Sequence, residues 1–497
     1  MRGLALIAVL AAACGGDDGN DDRLDENGCT IAPMVDDPGD TPRLATIDPQ
    51  PIDNSTTVAL NVGSVMQDDA SFPLGVQSGS IESSSALLLT KFPAATEITV
   101  KVWRDGDSAA EIRQVIDEVL TPGDAGLVRY AATGLAPSTE YRYAFFTSDG
   151  QNLTGRSTIG RFVTAYPEGE MLRLRVGATT CTGPSSNADL TPFPALSLLA
   201  GMDIDLTVHL GDISYNDGAS GLGGYRQSWA NTLSQDGYRD LLATAGMYAT
   251  WDDHEVDDNY DPETINSTRF DNAMQTYFEH IASTNQGNNR LWTSYQWGDT
   301  VEFIITDLRT ERKPSTLLSD NPQFVSNEQL EFIKERLQNS TAHFKVVFSS
   351  VNITNMPAPL WDVELALNDR WEGYRTQRQD LLQFIVDQDI ENVWFLAGDI
   401  HVGFIGRVEP EGPFSNMWEI TVGPGASGDN PLGLLYENDV NPEDVFPCNQ
   451  FIYGRGRTQV ATTIDFDAAN NLVAVEYVDV LTNEVLFSGA LQQEPRN

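Results

Sequence analysis

Leu206-Thr-Val-His-Leu-Gly-Asp212-Ile-Ser-Tyr215-Asn-Asp217 decides the fold. Its first five residues are mostly apolar and too few for a helix, and the run stops at a Gly-Asp pair that leads into carboxylate and phenol side chains. A short apolar strand emptying into a polar loop is the pattern of a strand buried on both faces of a layered sheet. The same form recurs at 172–177, 247–250, 301–306, 344–349 and 393–397, with helical spacing at 327–338 and 375–388. This alternation predicts an α/β layered domain over 167–497, with functional groups in loops just past the strand ends. The tail at 459–491 returns to strands around an Asn470-Asn471 turn and is expected to complete a second sheet.

Upstream the periodicity changes. Between residues 56 and 164 the chain reads as short alternating strands, among them 86–91, 97–103 and 140–146, separated by turn formers such as Arg104-Asp105-Gly106-Asp107. That spacing predicts an all-β sandwich over 51–166. Gly134-Leu135-Ala136-Pro137-Ser138-Thr139-Glu140-Tyr141 resembles the leucine-proline-tyrosine turn of fibronectin type III modules, which implies a fibronectin type III/Ig-like sandwich. No site is evident within it.

The 497 residues suffice for two to four domains. With 30 Lys and Arg against 72 Asp and Glu, the net charge of −42 repels a phosphate backbone and excludes binding of duplex nucleic acid across a broad face. Met1-Arg2-Gly3 precedes an apolar run over 4–13, long enough for a signal-peptide core and too short to span a bilayer. Leu10-Ala11-Ala12-Ala13-Cys14 resembles a bacterial lipobox, which implies cleavage of 1–13, a lipid on Cys14 and attachment to a bacterial membrane facing the periplasm or the exterior. Ala11 and Ala13 also suit ordinary signal peptidase, so plain secretion stays open. The polar residues 14–50 read as a flexible acidic tether. Setting Cys14 aside leaves Cys29, Cys181 and Cys448, an odd number for an oxidising compartment, so one thiol has another task while Cys29 and Cys448 are available to pair.

Four strand ends carry the chemistry: Val176-Gly-Ala-Thr-Thr-Cys181, the Asp212 to Asp217 stretch above, Ala249-Thr-Trp-Asp252-Asp253-His254-Glu255-Val-Asp-Asp-Asn259, and Phe395-Leu-Ala-Gly-Asp399-Ile-His401. Singly, each has an ordinary explanation as a turn, a hydrogen-bonded histidine or a packed cysteine. Together they bring thiol, carboxylate, phenol and imidazole to neighbouring strand exits, and such clustered acids repel one another unless cations neutralise them. A metal centre is the expectation.

Trp251-Asp-Asp-His-Glu-Val, Gly211-Asp-x-x-Tyr215, Gly398-Asp-x-His401 and Asp369-Arg-Trp-Glu-Gly-Tyr374 with Arg378 resemble the alkaline phosphatase D branch of the metallophosphoesterase superfamily, over about residue 85 to the C-terminus. The resemblance implies a calcineurin-like metallophosphoesterase α/β sandwich and hydrolysis of phosphate esters by a metal-activated hydroxide at a dinuclear centre. It implies that Cys181, Asp212, Tyr215 and His401 hold one metal, that Asp212 bridges to a second held by Asp253 and Asp399, and that Asn259 adds a neutral oxygen, with Asp258 standing where the family commonly has another Asn. It suggests Fe(3+) plus Ca(2+), in keeping with a mixed sulfur, nitrogen and oxygen set beside an oxygen-only set; Mn, Mg or Zn are alternatives. His254 is then expected beside the leaving oxygen as general acid or phosphate donor, Arg309 and Arg378 as phosphate clamps, and residues 371–374 as cleft wall. The expected partner is a phosphate-ester substrate, bound by a monomer. A dedicated phosphodiesterase acting on a lipid, polymer or nucleotide, and a surface binding protein with an inert α/β domain, are the competing readings.

Overall fold

The computed structural model describes residues 34–35, 41–42, 55–183, 192–285, 287, 289–355, 367–428, 450–455 and 459–493. The leader, Cys14, Cys29 and Cys448, and with them the expected pairing of the last two, lie outside the described residues.

The short apolar runs are strands whose side chains all find a covered face. Leu206–Leu210, Gly246–Thr250, Val301–Ile305 and Val393–Ala397 are buried along their whole length. Leu174–Thr179, Leu206–Leu210 and Gly246–Thr250 run parallel in one sheet. Val301–Ile305, Phe344–Phe348, Val393–Ala397 and Trp418–Thr421 run parallel in another. The sheets pack face to face: Leu206, Val208 and Leu210 share a core with Phe303, Phe348 and Leu396, each such side chain contributing about 1.5–3 kcal/mol on burial. Helices cover the outer faces. Gly221–Leu233, Asp236–Thr244 and Ser267–His280 lie over Met247 and Ala249. Asn327–Asn339 and Arg375–Asp387 lie over Ile304, Val347 and Val393. Polar caps start two of them: Ser326 accepts from the Gln329 N–H and Asn266 from the Arg269 N–H. This is the expected α/β sandwich, with the parallel strands delivering their C-terminal loops to one end.

Two expectations change. The tail strands Val460–Asp467, Leu472–Asp479 and Val485–Leu491 do not build a second sheet; Val460–Asp467 pairs antiparallel with Leu174–Thr179 and so extends the first. Part of the expected tether is also fastened to that tail. Met34–Val35 pairs with Val485–Leu491, Thr41 Oγ1 accepts from Asn470 Nδ2 at 2.8 Å, and the Pro42 carbonyl accepts from the Arg173 N–H at 3.2 Å. The unsatisfied edge of an antiparallel strand supplies the reason.

The N-terminal β module has one sheet of its own, Gly160–Val163, Glu140–Asp149, Ile98–Asp105, Ile112–Leu120 and Thr56–Val58 in spatial order, with Asn152–Arg156 on Glu140–Asp149. Its remaining strands, Val76–Gly79, Ser85–Lys91 and Leu127–Thr133, continue the first large sheet beyond Gly246–Thr250. The seam is narrow. Gly79 pairs with Met247, and a Cβ on Gly79 would lie 2.2 Å from the Ala282 carbonyl oxygen and 2.8 Å from that of Met247, so only glycine lets three backbones meet here. Gly79→Val is therefore expected to lower the calorimetric Tm by the equivalent of about 1–3 kcal/mol. An unaltered Tm would show that the seam carries no load.

Candidate metal centre

At the end where the parallel strands stop, the backbone turns sharply. Cys181, Asp212, Asp399 and His401 all adopt left-handed φ values, +49°, +58°, +63° and +55°. Non-glycine residues in that region cost on the order of 1–3 kcal/mol where the surroundings force them, and here the turn aims each side chain into the space between the loops. Gly211 precedes Asp212 at φ +101°, and a Cβ there would stand 2.6 Å from the Asp252 Cβ, so the glycine lets two acid-bearing loops touch.

The side chains converge. Ligand atoms of Cys181, Asp212 and His401 lie within 4.8 Å of one another, as do those of Asp212, Asp253 and His254, and those of Asp252, Asp253 and Asp399. Asp212 and Asp253 each belong to two groups, so the three form one continuous set of donors. Tyr215 joins it, its Oη 3.4 Å from Asp212 Oδ2, the oxygen that also lies 3.4 Å from Cys181 Sγ. His401 donates Nδ1–H to the Gly428 carbonyl at 2.7 Å, which places the ring lone pair on Nε2. Asn259 approaches the cluster with its backbone N–H on Asp253 Oδ2 at 2.5 Å, while its side-chain Nδ2 donates to Asp258 at 2.8 Å. It orients a ligand candidate through its main chain.

The electrostatics call for cations. Asp212 is buried, its Oδ1 has no hydrogen-bond partner among the described residues, and burial followed by the Asp253 and Asp252 charges pushes its pKa well up. Burial and the Asp212 charge likewise push up the Cys181 thiol and the Tyr215 phenol. Burial and Asp252 do the same to Asp399. An orphaned carboxylate oxygen among a thiol, a phenol and an imidazole fits a bound metal ion, which would favour the ionised form of every one of these groups.

Several supporting residues received no role in the sequence reading. Glu255, wholly buried, accepts backbone N–H bonds from Asp212 (3.1 Å), Ile213 (2.5 Å), Ser214 (3.4 Å) and Asp252 (2.9 Å). Burial nevertheless lifts its pKa to about 7. Ser427 sits 2.8 Å from Tyr215 Oη, on a loop whose N–H groups at 425–427 bond to the Thr180 and Cys181 carbonyls; the small-residue run Gly423-Pro-Gly-Ala-Ser-Gly428 after a buried strand was the available signal. Asp217 binds His254 Nδ1 at 2.8 Å, and the His254 ring stacks on Tyr215 with centroids 3.9 Å apart. Burial lowers the His254 pKa, but Asp217, Asp212 and Asp253 outweigh it and raise the value to about 10.

The two expected phosphate clamps are placed otherwise. Arg309 is fully buried and forks onto Asp252, with further bonds to Asp369 (2.8 Å) and Asp399 (3.1 Å) and Asp253 Oδ1 at 3.6 Å. Its charge is committed to four carboxylates, so it braces the cluster from behind. Arg378 bonds to the Ile353 carbonyl (2.6 Å) and Glu409 (2.7 Å) in a separate pocket of about 360 Å³ lined also by Asn355, Arg375, Gln379 and Phe414. Residues 371–374 are buried, Trp371 donating to Ser349 Oγ at 3.1 Å, so they pack under the loops and do not form an open wall.

The model of the PhoD-like phosphatases matches residues 178–468, more than half of the chain, and that of their N-terminal domain matches 58–166. The chain belongs to the PhoD-like phosphatase family. Alkaline phosphatase D of Bacillus subtilis (strain 168) is 27% identical over 396 residues, covering 68% of this chain and 65% of that protein, just under two thirds of its length. The solved structure of PhoD superposes with TM-score 0.71 at 21% identity, covering 87% of this chain and 91% of that one. A purple acid phosphatase from yellow lupin (Lupinus luteus) seeds gives TM-score 0.60 at 15% identity over 84% and 73% of the two chains. At those identities the structures speak for the fold, a PhoD-like one with mixed sheets and an N-terminal β domain.

In this member of the family Glu255 is the brace that can be tested alone. Glu255→Gln keeps the shape but turns an NH2 group towards N–H donors, at about 1–3 kcal/mol for each donor left unpaired in the interior. Tm and bound metal per chain should fall together. Normal metal content with normal Tm would remove Glu255 from this role.

Proposed function

We propose that this PhoD-like chain is a metal-dependent phosphoesterase whose centre is dinuclear. The observation that carries the reading is the position of Asp212, a buried carboxylate with an unpartnered oxygen shared between a Cys181–His401 group and an Asp253–His254 group. Cys181, Asp212, Tyr215 and His401 would hold one ion and Asp212, Asp253 and Asp399 the other. The first set, with thiolate and phenolate, suits Fe(3+), and the oxygen-only second set suits Ca(2+). When bound, such a pair supplies Lewis acidity towards phosphate oxygens and towards water.

The chain's own residues do the rest. Asp217 fixes the His254 ring through Nδ1, and Tyr215 supports its face, so the ring can present Nε2–H to the leaving oxygen of an ester. Glu255 and Arg309 keep the ligand loops in place from behind. Neither a serine nor a cysteine nucleophile is needed. The substrate is proposed as a phosphate ester, with both monoesters and diesters within reach of this chemistry.

Two further readings belong here. The N-terminal module is read as fibronectin type III-like because Tyr141 Oη accepts the Ala136 N–H at 2.9 Å, the tie that a tyrosine corner makes. Export with a lipid on Cys14 is supported by the apolar run before it and predicts that Cys14→Ser moves the protein from the membrane fraction to the soluble one; retention in the membrane would require another anchor.

His254→Ala tests the chemistry. Both metals should stay bound while turnover falls about 10²- to 10⁴-fold on an alkyl phosphate ester, and by much less on a nitrophenyl ester whose leaving group needs no proton. Equal losses on both esters would assign the ring to phosphate binding, and unchanged turnover would remove it from the site.

A further inference from the structure

The helix Ser267–His280 is held by arginines at both ends, and the two grips lead to different parts of the molecule. At its N-terminal end Arg269 donates Nη2 to the Asp217 carbonyl and to Asp257 Oδ1 (2.6 Å), and Nε to Tyr225 Oη (3.1 Å). Asp217 is the residue whose carboxylate holds His254. At the C-terminal end the N-terminal module takes hold. Arg129, on Leu127–Thr133, donates to the carbonyls of Phe278, Ile281 (3.0 Å) and Ser283 (2.7 Å). Gln77, on Val76–Gly79, donates to the His280 carbonyl at 2.6 Å and accepts the Ala282 N–H at 2.8 Å.

Phe278 and His280 are among the last carbonyls of the helix and Ile281 is its C-cap, where acceptors lack intrahelical partners and the dipole end is negative, so a guanidinium from outside both satisfies and anchors it. The helix spans about 20 Å at 1.5 Å per residue. Its last turn is also tied to the α/β domain itself, by the Arg226–Glu279 ion pair (2.5 Å) and by Tyr277 Oη donating to the Ala249 carbonyl (3.2 Å) on the strand that leads to Asp252 and Asp253. The module's grip and the α/β domain's own ties therefore meet in the same last turn and together leave the helix little freedom to slide.

We propose that the N-terminal β module is a positioning part of the active site: through Arg129 and Gln77 it fixes the helix Ser267–His280, and through Arg269 that helix fixes the Asp217 loop that orients His254. The module is then no spacer. Arg269 and Arg129 are positioning residues, acting on the reaction only through Asp217 and His254. The inference rests on the reading of His254 given above.

The experiment is a double-mutant cycle in the full-length, metal-loaded protein, using Arg269→Gln, Arg129→Met and both together, with His254→Ala as reference and turnover measured on an alkyl and a nitrophenyl phosphate ester. Arg269→Gln should lower kcat on the alkyl ester about tenfold or more, change the nitrophenyl rate less than about threefold, and leave metal content and KM unaltered. Arg269→Lys should recover part of the loss, since one ammonium cannot reach all three acceptors at once. Arg129→Met should show the same leaving-group dependence at a smaller size, and the double variant should be no worse than Arg269→Gln alone. If the losses multiply, the two grips act separately and the proposal fails. It fails equally if either single variant loses both esters in parallel with metal or Tm. Should His254→Ala itself lack leaving-group dependence, the fault lies in the reading of His254; if His254→Ala shows it and Arg269→Gln does not, the fault lies in the positioning proposal.

Discussion

Everything at the ligand end of this molecule depends on one buried carboxylate that is not itself in the donor set. Glu255 gathers N–H groups from the loop after Leu206–Leu210 and from the loop after Gly246–Thr250. Its own backbone is fastened in return, since Asn216 donates Nδ2 to the Glu255 carbonyl and its N–H to that of His254. Two adjacent parallel strands end about 5 Å apart, and the bracket turns that spacing into a defined separation between Asp212 and Asp253. The left-handed backbone at Asp212 is sustained by the same bonds, which oppose the local preference of a non-glycine residue.

Arg309 performs the corresponding task between the sheets. It stands beyond Val301–Ile305 in the second sheet, yet its fork closes on Asp252, which belongs to the first. The pair Thr250–Thr306, in which the Thr250 hydroxyl donates to the Thr306 carbonyl at 2.6 Å, ties the same two strand ends. A charged residue without solvent is stable only when its donors are used, and here carboxylates from two loops and the 3-10 turn at Leu367–Asp369 use them. Removing the guanidinium would leave several acids facing one another. A brace of this kind positions ligands without spending a ligand.

How much of this was legible follows from which forces are local. The strands at 206–210 and 393–397 were visible to the residue because burial on both faces demands a mostly apolar run. The helices Gly221–Leu233 and Ser267–His280 escaped notice: the first opens on glycines and the second mixes its apolar residues with Asn, Gln and Glu, so tertiary packing on Met247 and Ala249 defines them more than propensity does. The candidate ligand residues that the structure brings together stood out because their chemistry is unusual at strand ends. Their supports did not. Ser427, Asp217 and Arg269 are ordinary residues whose role exists only through partners 212, 37 and 52 positions away in sequence. Arg309 and Arg378 show the converse error, in which a residue type suited to phosphate was read as a clamp although its nearest anions are carboxylates of the protein itself.

The distribution of charge around the cluster explains why the chain can be so acidic and still present a site for an anion. Arg309 reaches Asp252, Asp253, Asp369 and Asp399 but makes no bond to Asp212. Asp212 has instead a thiol, a phenol and the His254 ring around it, and one oxygen with no hydrogen-bond partner among the described residues. The protein thus neutralises its acids with its own cation on the buried side and leaves the other side short of positive charge. Ions taken up there would convert the deficit into a local positive field at the loop ends, where field lines are focused by low-dielectric walls and a surface charge of −42 is screened within about 10 Å at ordinary salt. Phosphate recognition then rests on the imported charge, which is why neither of the two arginines first expected to clamp phosphate has to leave its carboxylate partners.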